Sequence, residues 1–234
     1  MFSFNHRHPG PELMDNPNVN EDELTLNLIE LETINTLLGG YKTTFKGLEK
    51  LMKDRSRTYH ILDIGCGGGD TIAATYDWAT KKNINVQFTG LDMSSAAIKQ
   101  SMKRCAHIQG AEFLNLPFQQ LASTEKSFDI VMCSLFTHHF YDDDLITLLK
   151  VMHDRSSIGF VINDLERNKI AWASISLLTQ ILSKSHLVKH DAPLSVKRGF
   201  IKSDWTKLLE EAGIKNYQIS WSWAFRHCII STHA

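Results

Sequence analysis

The side chains best placed to do chemistry form a run of small and acidic residues, Asp63-Ile64-Gly65-Cys66-Gly67-Gly68-Gly69-Asp70. Glycines at that density let the backbone turn sharply and approach a ligand closely. A helix starting there would aim free N–H groups at a polar or anionic group. Asp92 closes the next apolar run, where a carboxylate can accept both hydroxyls of a ribose. A later apolar run leads into Cys133-Ser134-Leu135-Phe136-Thr137-His138-His139. Imidazole titrates near neutrality, so His139 and His138 are the candidate bases for an acceptor that must lose a proton. His190-Asp191 is a further candidate pair. Asp164 and Arg167 close another strand, either paired with each other or orienting a substrate. The two aromatics and the cation of Trp223-Ala224-Phe225-Arg226 suit a flat, partly anionic acceptor. His6-x-His8 lies in an extended polar arm, and His186 and His190 share a helical spacing without an acidic third ligand, so both sets read as solvated side chains and no metal is expected.

These residues need a scaffold, and the hydropathy pattern supplies one. Asn20 can cap a helix, with Glu23 completing a capping box, and Leu24, Leu28, Leu31, Ile34 and Leu38 recur at helical spacing until Gly39-Gly40. A second helix is predicted over Thr43 to Lys53. From Tyr59, strands and helices alternate: YHILD, a helix from Asp70 to Lys82, NVQFTGLD, a helix from Ser95 to Gln109, AEFL, FDIVMCS, a helix after Asp142-Asp143-Asp144, and IGFVIND. An apolar helix over Asn168 to Ser183 follows, then a variable segment, a helix from Ser203 to Ala212, and the hairpin NYQISWSW/RHCIIST. This order predicts an α/β fold: a doubly wound, seven-stranded, mostly parallel sheet with an antiparallel end and an N-terminal helical cap. Residues 1–58 are expected to form the arm and cap, and residues 59–234 the ligand-binding domain. The arm and first helix would lie as a lid over the site.

Composition narrows the partners. The 234 residues carry 25 basic and 26 acidic side chains, a formal charge of -1, which argues against a nucleic-acid binder, whose affinity rests on a basic surface. The four cysteines include no CxxC pair, and the opening MFSFNHRHPG lacks the apolar run of a secretory leader. The expectation is a cytoplasmic protein with reduced thiols and no stable membrane insertion, working as a monomer or homodimer.

The glycine run departs from a dinucleotide fingerprint: counted from Gly65, GxGxxG would need glycine where Asp70 stands. No tyrosine has a lysine four residues later, the pair that short-chain dehydrogenases use. The DxGxGxG run with Asp92 instead resembles the class I S-adenosylmethionine-dependent methyltransferases, over roughly residues 59–232. The resemblance implies that Asp63, Gly65, Cys66 and Gly67 surround the methionine end of the cofactor, with Gly69 and Asp70 shaping the start of the helix. It implies further that Asp92 holds the ribose, Met93 packs on the adenine, and Ser134 stands beside the sulfonium. The segment Phe113 to Phe118 would close the far side of the adenine. Pro117 occupies a place where relatives often carry an Asp for the adenine amino group, leaving Phe118 to stack on the ring. No Asn/Asp-Pro-Pro-aromatic motif follows FDIVMCS, which disfavours a base nitrogen as acceptor. The region is similar to the small-molecule branch, including quinone-biosynthesis and phenolic or polyketide methyltransferases of bacteria. Methyl transfer to an oxygen or carbon of a small aromatic or lipophilic metabolite is the implied activity, with Arg167, Trp223 and Arg226 against the acceptor. The competing readings are an NAD-dependent oxidoreductase and a cofactor-binding protein without catalysis.

Overall fold

The computed structural model describes residues 4–16, 18–123 and 126–233. Seven strands form one sheet: β1 (Thr58–Ile64), β2 (Asn85–Asp92), β3 (Glu112–Asn115), β4 (Phe128–Ser134), β5 (Ser156–Leu165), β6 (Tyr217–Ser222) and β7 (Arg226–Thr232). Their order is β3-β2-β1-β4-β5-β7-β6. The first five pair in parallel, while β7 runs antiparallel to both β5 and β6. The chain winds outward from β1 in both directions, so the crevice for a ligand opens above the carboxyl ends of β1 and β4.

Both sheet faces are buried, which is why the strands read as continuous apolar runs. Leu62, Ile64, Val131, Phe160 and Ile162 point to one face and pack with Leu148 of α5 (Asp142–Arg155) and Trp205 of α8 (Lys202–Glu211). Tyr59, Ile61, Ile130 and Val161 point to the other, against Leu48 of α2 (Gly40–Leu51), Ile72 of α3 (Asp70–Lys81) and Ile98 of α4 (Ser95–Arg104). A third cluster lies above the sheet: Ile175 of α6 (Lys169–Leu182) and Val188 and Val196 of α7 (His186–Arg198) meet Leu31 and Ile34 of α1 (Glu21–Leu37). This last cluster forms the roof over the crevice.

Several boundaries differ from the sequence expectation. Asn20 caps α1 as predicted, accepting from the N–H groups of Asp22 and Glu23. The second helix starts at Gly40 rather than Thr43, and α4 ends at Arg104 rather than Gln109. The variable segment contains α7, thirteen residues with Pro193 inside. Its pattern was obscured because polar residues that anchor other parts of the chain, Asp191, Ser195 and Arg198, are themselves buried. Helix α8 starts one residue before the expected cap Ser203, and the Asp204 carboxylate accepts from the Ile201 N–H instead, at 3.0 Å.

Candidate functional site

The turn after β1 is held from beneath by the next strand. The N–H groups of Gly65 and Cys66 donate to the Leu91 carbonyl at 2.8 and 3.0 Å, which bends the chain up from the sheet. Gly65 has φ 73°, and a Cβ there would fall 2.3 Å from the Phe136 ring, so both its conformation and its space demand glycine. Asp92 accepts from Gly67 N–H at 3.0 Å and from Ser94 N–H at 2.8 Å, tying the ends of β1 and β2 into one rim. Helix α1 crosses above: Glu32 grips Arg104 through two 2.5 Å bonds, and Arg104 Nε donates to the Gly68 carbonyl.

This end of the crevice is rich in buried acid. Asp63 is 1% exposed, and neither of its oxygens has a hydrogen-bond partner among the described residues. Burial, with Asp70 and Asp92 nearby, pushes its carboxyl well above the usual range. Burial likewise raises Asp70, against the hydrogen bond from Tyr41 Oη at 2.7 Å, and raises Asp92. Three carboxylates whose charged forms are penalised make a region that favours a cation.

The turn after β4 is fixed by the end of β5. Asp164, fully buried, accepts from the Thr137 hydroxyl, from His138 N–H at 3.1 Å, from Leu165 N–H at 2.7 Å, and from His138 Nδ1 at 2.7 Å. His138 Nε2 lies 3.4 Å from Glu12 Oε1. Burial alone would lower this histidine, but the Asp164 charge and hydrogen bond, then Glu12, push it up to about 10. Asp164 is drawn well below the usual range: the His138 charge and hydrogen bonds outweigh its desolvation. With Nδ1 on Asp164, Nε2 facing Glu12 and the ring 3% exposed, His138 has no free nitrogen for an acceptor's proton, against the expectation that it could act as a base. His139 faces the crevice with Nδ1 on Asp15 at 2.9 Å and Nε2 3.8 Å from Glu12 Oε2.

Glu12 and Asp15 come from the N-terminal arm, which sequence reasoning gave no chemical part. Arg7 anchors that arm by donating to the carbonyls of Arg198, His138 and Phe140 at 2.8, 3.1 and 2.6 Å. Asp191 accepts from the N–H groups of Leu13 and Met14 at 2.8 and 2.9 Å. His190-Asp191 is thus an anchor for the arm, outside the cavity lining, and not an acid–base pair over substrate.

One cavity of about 950 Å³ joins these parts. Gly65, Cys66, Gly67, Asp92, Met93, Ser134, His138, His139, Trp223 and Arg226 all line it. Asp63 and Gly69 lie just behind the lining, and Cys66 turns its sulfur to Ser101 Oγ at 3.8 Å. Ser134 Oγ is 3.0 Å from Thr44 Oγ1. Three expected contacts fall elsewhere. A 3-10 turn beginning at Phe118 drives that ring into the core, edge-on to Phe140 at 5.3 Å, and Pro117 stays off the cavity with it. Arg167 is drawn away from the crevice to the Gly199 carbonyl at 2.7 Å and to Asp204 at 2.9 Å, where it ties β5 to α8.

Glu12, His138 and His139 each offer a ligand atom within 4.8 Å of the others, a spacing that a divalent cation could bridge. Protons already satisfy His138 there, through its bonds to Asp164 and Glu12.

Comparison with known proteins follows from this geometry. The profile of a family described as a methyltransferase domain matches residues 55–213. No curated protein matches the sequence. Among solved structures, a plantazolicin methyltransferase in complex with S-adenosylhomocysteine superposes with TM-score 0.66 at 18% identity, covering 93% of this chain and 92% of that one. Human N-acetylserotonin methyltransferase in complex with S-adenosylmethionine gives 0.62 at 16% identity, with 92% and 57% covered. Magnesium protoporphyrin IX methyltransferase from Synechocystis PCC 6803 with bound S-adenosylmethionine gives 0.57 at 11% identity, with 94% and 100% covered.

Proposed function

This chain belongs to the methyltransferase-domain family, and on that premise we propose that it transfers the methyl group of S-adenosylmethionine to an oxygen or carbon of a small, largely apolar metabolite. The observation that carries this reading is the cation-seeking end of the cavity: Asp63, Asp70 and Asp92 beneath and beside a glycine turn too tight for any side chain at Gly65. A cofactor with an ammonium, a sulfonium and a ribose diol fits that chemistry. Asp70 and Asp92 face the cavity directly, and Asp63 acts through its charge from behind. Gly65, Cys66, Gly67 and Gly69 shape the turn, Met93 flanks Asp92, and Ser134 stands at the carboxyl end of β4.

When bound, the cofactor supplies an electrophilic methyl on a good leaving group. The protein then has to align the acceptor and keep water out, and alignment alone can contribute on the order of 7–11 kcal/mol. His139 receives the acceptor's proton at Nε2. Asp15, hydrogen-bonded to Nδ1, holds the ring in the tautomer that leaves Nε2 free. His138 is a positioning residue: its ion pair with Asp164 sets the backbone from which His139 projects. On this reading an N-terminal arm and helical cap, residues 1–58, serves as a lid for a cofactor-binding domain, residues 59–234, and the arm supplies Glu12 and Asp15 to the reacting end.

Among the described residues no helix is long and apolar enough to cross a membrane. With a formal charge of -1 and no Asn/Asp-Pro-Pro-aromatic motif, the reading is a cytoplasmic enzyme on small molecules rather than nucleic acid, acting as a monomer or homodimer. Calorimetry tests the cofactor half: S-adenosylhomocysteine should bind at micromolar level and lose most of that affinity in Asp92→Ala. Absence of binding by the wild-type chain would sink the reading. Transfer of labelled methyl into a cell extract, with the product identified by mass, tests the acceptor half.

A further inference from the structure

The end of the cavity away from the glycine turn holds a buried cation. Arg226 opens β7 beside Leu165 of β5, is 2% exposed, and lines the cavity. Its Nε and Nη1 have no acceptor among the described residues. The carboxylate whose charge it feels most is Asp164, whose oxygens are already engaged by His138, Thr137 and two backbone N–H groups. The guanidinium is built into place. A Cβ on Gly40 would lie 2.9 Å from Arg226 Cζ and 1.8 Å from Asn35 Oδ1, so the start of α2 is bare in order to admit the fork. Burial lowers Arg226 only to about 10, which leaves it a cation at neutral pH.

A buried cation without a counterion is expensive, and a cavity that keeps one is shaped for an anion. The surroundings describe the rest of that ligand. Leu31, Ile34, Leu38, Ile175 and Leu178 form an aliphatic wall, with Trp223 at its rim. β7 stands three strands from β1, about 14 Å at ordinary strand spacing, so Arg226 lies at the end of the cavity away from the glycine turn. At about 950 Å³, the cavity is at the upper end for a single small ligand and has room for two side by side.

We propose that the methyl acceptor is an organic acid, whose carboxylate is received by the Arg226 fork and whose apolar body lies along α1 and α6. This rests on the methyltransferase reading and adds the acceptor's chemical class to it. A guanidinium hydrogen-bonds a carboxylate directionally, so it would fix the acceptor's orientation as well as match its charge.

The test uses the full chain saturated with S-adenosylhomocysteine and two probes with the same tail, decanoate and decanol, titrated at neutral pH by calorimetry. Decanoate should bind about tenfold tighter or better, the value of one charge-assisted pair. Arg226→Gln should bring the two probes to parity while leaving decanol and S-adenosylhomocysteine affinities unchanged. Arg226→Lys should keep part of the preference. Equal binding of the two probes by the wild-type chain, or no decanoate binding at millimolar level, overturns the proposal without any variant. Loss of S-adenosylhomocysteine affinity in Arg226→Gln with the acid preference intact also overturns it, because the fork would then serve the cofactor's own carboxylate. Failure of S-adenosylhomocysteine to bind the wild-type chain touches only the earlier reading, since the probe comparison is repeated without it.

Discussion

The two ends of the cavity are built by different means. The acidic end comes from short stretches of chain: β1, its glycine turn and Asp92 are closed by backbone hydrogen bonds between neighbouring strands. The apolar end comes from α1, α6, α7 and the β6–β7 turn, segments far apart in sequence that meet only as a roof. Behind one end lie the unpartnered carboxylate oxygens of Asp63, and at the other stands Arg226, whose Nε and Nη1 lack an acceptor among the described residues. Between them stands a seam, Asp164–His138–Glu12, in which one imidazole is held between two carboxylates and Arg198 lies 3.9 Å from Glu12. A protein that moves a group between two ligands can thus keep the two sites electrostatically distinct inside one cavity, with an ion-paired seam in the wall between them.

Breaking the seam should have the largest effect. Asp164→Asn removes the buried carboxylate paired with His138 Nδ1 and should cost about 3–5 kcal/mol in denaturant unfolding. The pH dependence has a definite sign. His138 is raised from 6.5 to about 10, so its contribution is complete below pH 6.5 and is lost as pH rises through about 10. Asp164 lies below its ordinary 3.8, so its contribution holds above that value and fades as pH falls further. The difference between wild type and variant should therefore be largest between the ordinary carboxylate and imidazole ranges, and should shrink toward pH 10. A flat difference would show that the pair does not couple to folding.

His139→Gln should come next, lowering kcat about 10²-fold on an acceptor that must lose a proton, with S-adenosylhomocysteine affinity unchanged. An unaltered rate would assign His139 to packing. Smaller still is Asp63→Asn. Because burial raises Asp63, its carboxyl favours the fold below the ordinary range and opposes it as pH rises, so the variant should melt a few degrees higher at neutral pH without cofactor. The same variant should show a smaller thermal shift on adding S-adenosylmethionine, which sharpens the claim that this end wants a cation. The mildest change, Ile175→Val on the roof, should cost about 0.5–1.5 kcal/mol and weaken decanoate and decanol alike, since it touches the apolar wall and not the charge.

The glycine turn and Asp92 were legible because their signal is local: residue types, spacing and strand ends all lie within one stretch of chain. The stripe Leu24, Leu28, Leu31, Ile34 and Leu38 was legible as a helix face, but the pattern alone could not tell a core from a cavity wall, and the structure makes these side chains cavity wall. Phe118 and Arg167 were misplaced for one reason. Each lies within three residues of a strand end, where a short turn or a distant carboxylate decides which way the side chain goes. Glu12 and Asp15 were invisible, because an arm without periodicity carries no signal until Arg7 and Asp191 pin it down.

Short apolar runs bounded by turn residues, alternating with helical periodicity, by themselves determined the seven strands and the helices between most of them, because backbone hydrogen bonding and burial along a short segment are local constraints. It also determined the acidic glycine turn at the centre of the sheet. Only the tertiary structure decided that His138 is held between two carboxylates while His139 is left facing the cavity, and that Arg226 stands unmatched at the far end. Charge state and access depend on which distant side chains arrive within a few ångströms, and no spacing along the chain encodes that distance.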